Sequence, residues 1–247
     1  MPEGPSIVIL KDEARRLIGQ RIVAVEGNTT IAKERLVGEP IVALRSWGKH
    51  FLIELATFSL RVHFLMFGSY RIDERKDVAP RLGLCLEHGE LNLYTCSVRF
   101  IDEPLDEIYD WSSDVMSDRW DPAAARRKLR AMPEALVCDA LLDQGIFAGV
   151  GNIIKNEVLF RIRVHPLSNV GALPPRKLRE LVAEARKYSF DFLRWKKQYT
   201  LRAHWLAHNK GICPRDGVKF ERAHLGVRQR RSFWCEICQK LYSAADA

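Results

Sequence analysis

GIFAGVGNIIKNEVLFRIRVHP, residues 145–166, decides how the chain is to be divided. Gly149 and Gly151 precede a stretch of helical period, so backbone amides and the Asn152 side chain can approach an anion at the positive end of a helix. A glycine run of this kind opens a dinucleotide-binding fold only where a strand feeds into it. The segment before it, EALVCDALLDQ (134–144), reads as a helix, and with no strand ahead of the glycines the motif argues against that fold and for a helical region.

Working outward, AAARRKLRAM (123–132) and PRKLRELVAEARKYSFDFLRW (175–195) also carry the helical period. Asp121 followed by Pro122 reads as an N-cap with proline at the first helical position. Towards the N-terminus the period changes. PSIVILKDEARRLI (5–18) predicts one helix stopped by Gly19. RIVAVEG, IVALRS, FLIEL, SLRVHFL, LGLCLE, LNLYT and SVRFI then alternate between Gly, Pro, Asn and Asp punctuation, which predicts short antiparallel strands over residues 21 to about 105. The expected fold class is α+β and multidomain. It comprises an N-terminal β-sandwich with a leading helix (1–110), an acidic linker (111–121), a helical domain (122–202) and a C-terminal hairpin finger (203–247).

The 247 residues are 47% hydrophobic and 28% charged, a globular balance. No apolar run approaches the roughly 18–20 residues of a membrane span, and Glu3, Lys11, Asp12 and Glu13 break any signal-peptide core. The expectation is an intracellular, cytoplasmic protein with no membrane partner. The six cysteines are accordingly read as reduced, with Cys85, Cys96 and Cys138 buried among apolar neighbours. The formal charge of +8 favours polyanions. Between Ala203 and Gln239, Lys210, Arg215, Lys219, Arg222, Arg228, Arg230 and Arg231 interleave with Trp205, Phe220, Phe233 and Trp234, the footprint of phosphate contact beside base or sugar packing.

Two further stretches carry chemistry. The chain begins MPEGP; removal of Met1 would expose Pro2 as a secondary amine, which forms a cationic iminium on attacking a carbonyl-level carbon, with Glu3 placed to move protons. Near the C-terminus, Cys213-x-x-Asp216 and Cys235-x-x-Cys238 have zinc-ribbon spacing with one cysteine replaced. Zinc accepts a carboxylate oxygen. Asp216, His224 or His208 as the fourth ligand, and a finger without metal, all remain open at this stage.

AGVGNIIKNEVLFRIRVHP resembles the helix-two-turns-helix signature of the formamidopyrimidine-DNA glycosylase and endonuclease VIII family. MPEGP resembles that family's start, WGKHFLI its strand bearing an essential lysine, and RRSFWCEICQ the end of its zinc finger. The resemblance spans Pro2 to Gln239. It implies a bifunctional DNA glycosylase and abasic-site lyase of base excision repair. Pro2 would be the nucleophile at the sugar C1′, Glu3 the proton-transfer acid, and Lys49 a phosphate or nucleotide contact. Asn152 and Arg230 would grip the phosphate beside the lesion. Arg230 lies five positions before Cys235, the family's offset, and Arg231 adds a second contact. The implied partner is damaged DNA, duplex or single-stranded, bent between two domains with the damaged nucleotide flipped out and the strand cut by β- and δ-elimination. A monomer is expected.

HFLMFGSY (63–70) resembles the family's void-filling loop, with Met66 central and Leu65 and Phe67 beside it; Arg99 and Phe100 in SVRF match further inserted residues in part. Gly4 and the short YTLRAHWLAHNKGIC connection resemble the endonuclease VIII branch, which implies oxidised pyrimidines, whereas TLR and Met66 resemble the purine-specific branch. Two readings compete with the enzyme. A damaged-DNA-binding module without catalysis leaves Pro2, Glu3 and Lys49 unexplained, and a basic zinc-ribbon adaptor leaves the N-terminus and the Asn152 motif unexplained.

Overall fold

The computed structural model describes residues 2–243 and divides into two compact units, Met1–Asp110 and Trp111–Ala247. The removal of Met1 lies outside the described residues.

Unit 1 opens with α1 (Gly4–Glu13), whose Pro5 falls in the first turn where no backbone N–H is needed. Its last turn tightens into a 3-10 segment, Ala14–Leu17, so the single helix predicted to Ile18 is shorter and in two parts. Strands β1 (Ile22–Glu26), β2 (Ala43–Trp47), β3 (His50–Glu54), β4 (Ser59–Ile72), β5 (Leu82–Leu86) and β6 (Glu90–Ile101) form one antiparallel sheet in the order β1-β5-β6-β4-β3-β2. The segments LNLYT and SVRFI, predicted as separate strands, are one strand. Thr95, the last residue of LNLYT, adopts φ 49° and is skipped by the β4 pairing, which runs on at Cys96 on one side and Tyr94 on the other.

That position is the pivot of the sheet. The N-terminal half of β4 pairs with β3 and the C-terminal half of β6, whereas the N-terminal half of β6 pairs with β5 and the end of β4. Phe51, Ile53, Leu60 and Val62 from one half, Ile22, Leu82, Leu84 and Leu93 from the other, and Ile7 and Leu10 of α1 share one buried core. Two halves of a continuous sheet thus bury a common interior, which is what a sandwich requires. A short helix, α2 (Leu105–Ile108), ends the unit.

Unit 2 holds α3 (Pro122–Arg130), α4 (Val137–Ala140), α5 (Asn152–Arg161), α6 (Pro175–Lys197) and the hairpin of β7 (Glu221–Leu225) and β8 (Arg230–Trp234). Asp121 caps α3 as predicted, accepting from the Ala123 N–H at 2.7 Å, a bond worth about 1 kcal/mol. The predicted linker 111–121 is instead integral to this unit. Trp111 and Val115 are buried, Met116 and Trp120 pack against the core, and Val115 N donates to Ala148 O at 3.2 Å. The long helix predicted over 134–144 is cut to one turn because Asp143 accepts from the Gly145 N–H at 2.8 Å and closes a local turn instead. Nor is the finger a separate body: Phe160 of α5 shares a small core with Ala207, Cys213, Phe220 and Cys235. No described helix is long and apolar enough to cross a membrane.

Candidate functional site

In unit 1, Pro2 and Glu3 stand at the head of α1. Glu3 occupies the N-cap position and is buried, with its carboxylate near the positive end of the helix. The helix packs on β2 and β3. Lys49 belongs to the same hairpin, but not in mid-strand as its sequence context suggests. Trp47 pairs with His50, which leaves Gly48 and Lys49 as a two-residue loop, and Gly48 takes φ 53° as such tight hairpins demand. Lys49 is half-buried at this hairpin tip.

Behind it lies a cluster that the sequence reading missed. His63 Nδ1–H donates to the Lys49 carbonyl at 3.2 Å, His50 faces His63 across the ladder, and His50 Nδ1 lies 3.1 Å from the Tyr109 hydroxyl. Burial, then the charges of His63, Arg61 and Lys49, lowers the His50 pKa to about 3; burial likewise lowers that of His63. In unit 2, burial lowers His208 to about 4, against the opposing pull of Glu157. As pH falls, the unfolded chain protonates these rings first, near 6.5, while the folded protein holds them neutral. For His50 and His208 the stabilising contribution is therefore full above about pH 6.5 and is lost as pH falls towards about 3 and about 4, by up to about 1.4 kcal/mol per pH unit per ring, and the half-exposed His63 adds a smaller, solvent-screened share in the same direction. Urea midpoints are expected to drop between pH 7 and pH 5, with His50→Asn flattening the dependence in unit 1. A wild-type midpoint constant over that interval would contradict the account.

The wedge residues are not buried strand. Between the pairs Phe64–Cys96 and Ser69–Tyr94, four residues of β4 stand opposite Thr95 alone. Leu65, Met66 and Phe67 are therefore extruded, with exposures of 47%, 56% and 82%. Gly68 makes this possible, because a Cβ there would lie 2.6 Å from Phe64 Cβ and 2.8 Å from the Thr95 carbonyl. Arg99 is set opposite Arg61 rather than opposite the protrusion. Phe100 packs edge-on against Phe58 beneath the Arg35 guanidinium, an engaged position rather than an inserting one.

In unit 2, Asn152 opens α5, and its Nδ2 donates to the Arg231 carbonyl at 2.9 Å while Oδ1 is buried without a partner. Asn156, one turn on, donates to the same carbonyl at 3.2 Å and accepts from Phe233 N at 3.1 Å. The hairpin loop is held as well, since Val227 N and Arg228 N donate to the Asp139 carboxylate at 2.9 and 3.3 Å. Arg230 is consequently half-buried on a fixed strand, and Arg231 is exposed with its guanidinium over the Phe233 ring. Asn156 shares a helix face with Asn152, so the i, i+4 spacing inside the quoted motif could have revealed it.

Among the described residues, Cys213, Asp216, Cys235 and Cys238 bring their ligand atoms within 4.8 Å of one another. Asp216 Oδ2 lies 3.3 Å from the Cys213 sulfur and 3.2 Å from that of Cys235, and the Cys213 and Cys238 sulfurs are 3.9 Å apart. Neither alternative histidine joins them. His208 is buried against Asn156, Trp205 and Phe233, and His224 is exposed on β7. Burial, then the Asp216 carboxylate, pushes the Cys238 thiol up to about 12, so three sulfurs and a carboxylate gathered here suit a cation better than protons alone. Arg215 ties this knuckle to α5, donating to Phe160 O at 2.8 Å and Arg161 O at 3.3 Å.

Residues 1–103 match the formamidopyrimidine-DNA glycosylase N-terminal domain and residues 112–188 the formamidopyrimidine-DNA glycosylase H2TH domain. Endonuclease 8 2 of Mycobacterium tuberculosis is 30% identical over 261 aligned positions that cover 97% of this chain and 100% of that protein. This chain belongs to the formamidopyrimidine-DNA glycosylase and endonuclease 8 family. Within the family, bovine Endonuclease 8-like 2 is 36% identical over 205 residues, 76% of this chain, and the match spans 60% of the bovine protein's length. The family fold is seen in a viral DNA glycosylase (TM-score 0.83, 23% identity, 96% of this chain and 100% of that one) and in Lactococcus lactis formamidopyrimidine-DNA glycosylase bound to abasic-site DNA (TM-score 0.83, 22% identity, 96% and 99%).

Proposed function

We propose that this protein is a bifunctional DNA glycosylase and abasic-site lyase of base excision repair, acting as a monomer on oxidised bases with pyrimidines favoured. The observation that carries the reading is an intact Pro2, Glu3 and Lys49 in a chain matching Endonuclease 8 2 over its whole length. With Met1 removed, the Pro2 nitrogen bonds to C1′ as the glycosidic bond breaks and the departing base takes a proton. Glu3 moves the proton that accompanies sugar-ring opening, leaving an iminium. Loss of a C2′ proton to a base sends electrons into the iminium and expels the 3′ phosphate, loss of the C4′ proton then expels the 5′ phosphate, and water releases the sugar fragment and regenerates Pro2. Lys49, Asn152, Arg230 and Arg231 contact backbone phosphates. Leu65, Met66 and Phe67 occupy the space vacated by the flipped nucleotide, and Arg99, paired with Arg61 away from that protrusion, takes no part in filling it.

Zinc fits the knuckle. Zn–S bonds of about 2.3 Å and Zn–O bonds of about 2.0–2.2 Å in a tetrahedron give ligand separations of roughly 3.5–3.8 Å; three of the pairs lie at 3.2–3.9 Å and the whole set within 4.8 Å, so a small contraction would close the site on the ion. Zinc on Cys213, Asp216, Cys235 and Cys238 would stabilise the finger without entering the reaction. A panel of duplexes containing thymine glycol, 5-hydroxyuracil, 8-oxoguanine, formamidopyrimidine or an abasic site tests the substrate class. Faster release of the oxidised pyrimidines, with phosphates on both sides of the gap, is expected. Preference for 8-oxoguanine opposite cytosine would assign the oxidised-purine activity instead, and no incision of any duplex would leave a DNA-binding protein without catalysis.

A further inference from the structure

Resting on that reading, we infer that Lys155 is a positioning residue that aims Arg230 from inside the fold and does not itself touch DNA. In the sequence it is a cation within a motif expected to meet phosphate. In the structure it is 1% exposed on α5, one turn after Asn152. Its Nζ donates to Ser232 Oγ at 2.7 Å and to the Arg231 carbonyl at 3.3 Å. Ser232 Oγ in turn donates to the Arg230 carbonyl at 3.2 Å. One ammonium therefore fixes the carbonyls of both finger arginines, one directly and the other through a hydroxyl.

The arrangement is specific to a long donor side chain. Asn152 and Asn156 already donate to the Arg231 carbonyl, and neither is recorded on Ser232, whose hydroxyl is buried. A buried ammonium is tolerated only where oxygens replace its water, and two such oxygens, Ser232 Oγ and the Arg231 carbonyl, belong to the strand that carries Arg230. Methionine at this position would match the length of the side chain and leave Ser232 Oγ without the ammonium, while the Arg231 carbonyl would keep Asn152 and Asn156. The strand could then shift along α5, and Arg230 with it.

Lys155→Met, Lys155→Gln, Arg230→Ala and the double variant Lys155→Met/Arg230→Ala, all as full-length protein, test this by the salt dependence of binding to a duplex with a tetrahydrofuran abasic-site analogue. Arg230→Ala should reduce the slope of log K against log salt by about 0.9, the value for one phosphate contact. Lys155→Met should reduce it equally, the double variant should lose no more than either single change, and Lys155→Gln, which retains donors without charge, should recover part of the loss. A Lys155→Met slope equal to wild type, or losses that add in the double variant, would overturn the inference. If Lys155→Met does not fold, Lys155→Gln combined with Arg230→Ala decides by the same non-additivity. Borohydride trapping of wild-type protein on an abasic duplex runs alongside; its absence would strike the glycosylase reading, whereas the slopes judge Lys155.

Discussion

Cys235→Ser is expected to cost the protein at least about a hundredfold in affinity for abasic-site DNA at fixed salt, because several phosphate contacts would be lost together. Cys235 is fully buried in the small core shared by Phe160, Ala207, Cys213 and Phe220, and it follows β8 directly. Structural zinc sites contribute on the order of 10 kcal/mol to the folding of small fingers. Removing one sulfur therefore threatens the whole hairpin, and Arg230 and Arg231 with it. Unit 1 has its own core, so its unfolding transition should persist. Asp216→Ala should fall between this variant and wild type, since the carboxylate is the exposed member of the set, and Asp216→Cys should retain metal. Fluorescence anisotropy with metal analysis of the same samples checks the order; wild-type affinity in Cys235→Ser would show that the hairpin stands without the cluster.

Pro2→Gly is expected to lower abasic-site cleavage by about a thousandfold, some 4 kcal/mol of barrier, while binding changes only a few-fold. A proline nitrogen forms an iminium that stays cationic without a proton, whereas glycine offers a primary amine whose imine must be protonated to serve as the same electron sink. The proline ring also fixes the backbone immediately before α1, where Glu3 is buried. Single-turnover cleavage measured with binding under the same conditions separates the two effects. Equal loss of binding and cleavage would place Pro2 in recognition rather than chemistry.

Much of this was legible in the sequence because the signals were local. Alternation gave the strands, Asp121-Pro122 gave the start of α3, and cysteine spacing gave the knuckle. The extruded Leu65–Phe67 segment was not legible as geometry, since an apolar run looks alike whether buried or bulged. Its marker is Gly68, whose missing Cβ admits Phe64 and the Thr95 carbonyl. Lys49 read as mid-strand because a two-residue loop leaves almost no punctuation beyond Gly48. Residues 111–121 read as a linker because Trp111 and Val115 are scattered among acids and serines, and only long-range pairing with residue 148 shows that they are held. The role of Lys155 was hidden for a similar reason: its partners lie more than seventy positions away, at Arg231 and Ser232.

In this mechanism the covalent chemistry belongs to Pro2. Borohydride reduction of a reaction between abasic-site DNA and protein shown by mass spectrometry to start at Pro2, followed by peptide mapping, tests it most directly. The account predicts a stable protein–DNA adduct on the N-terminal peptide, bonded through the Pro2 nitrogen. No adduct, or an adduct on another amine such as Lys49, would contradict it.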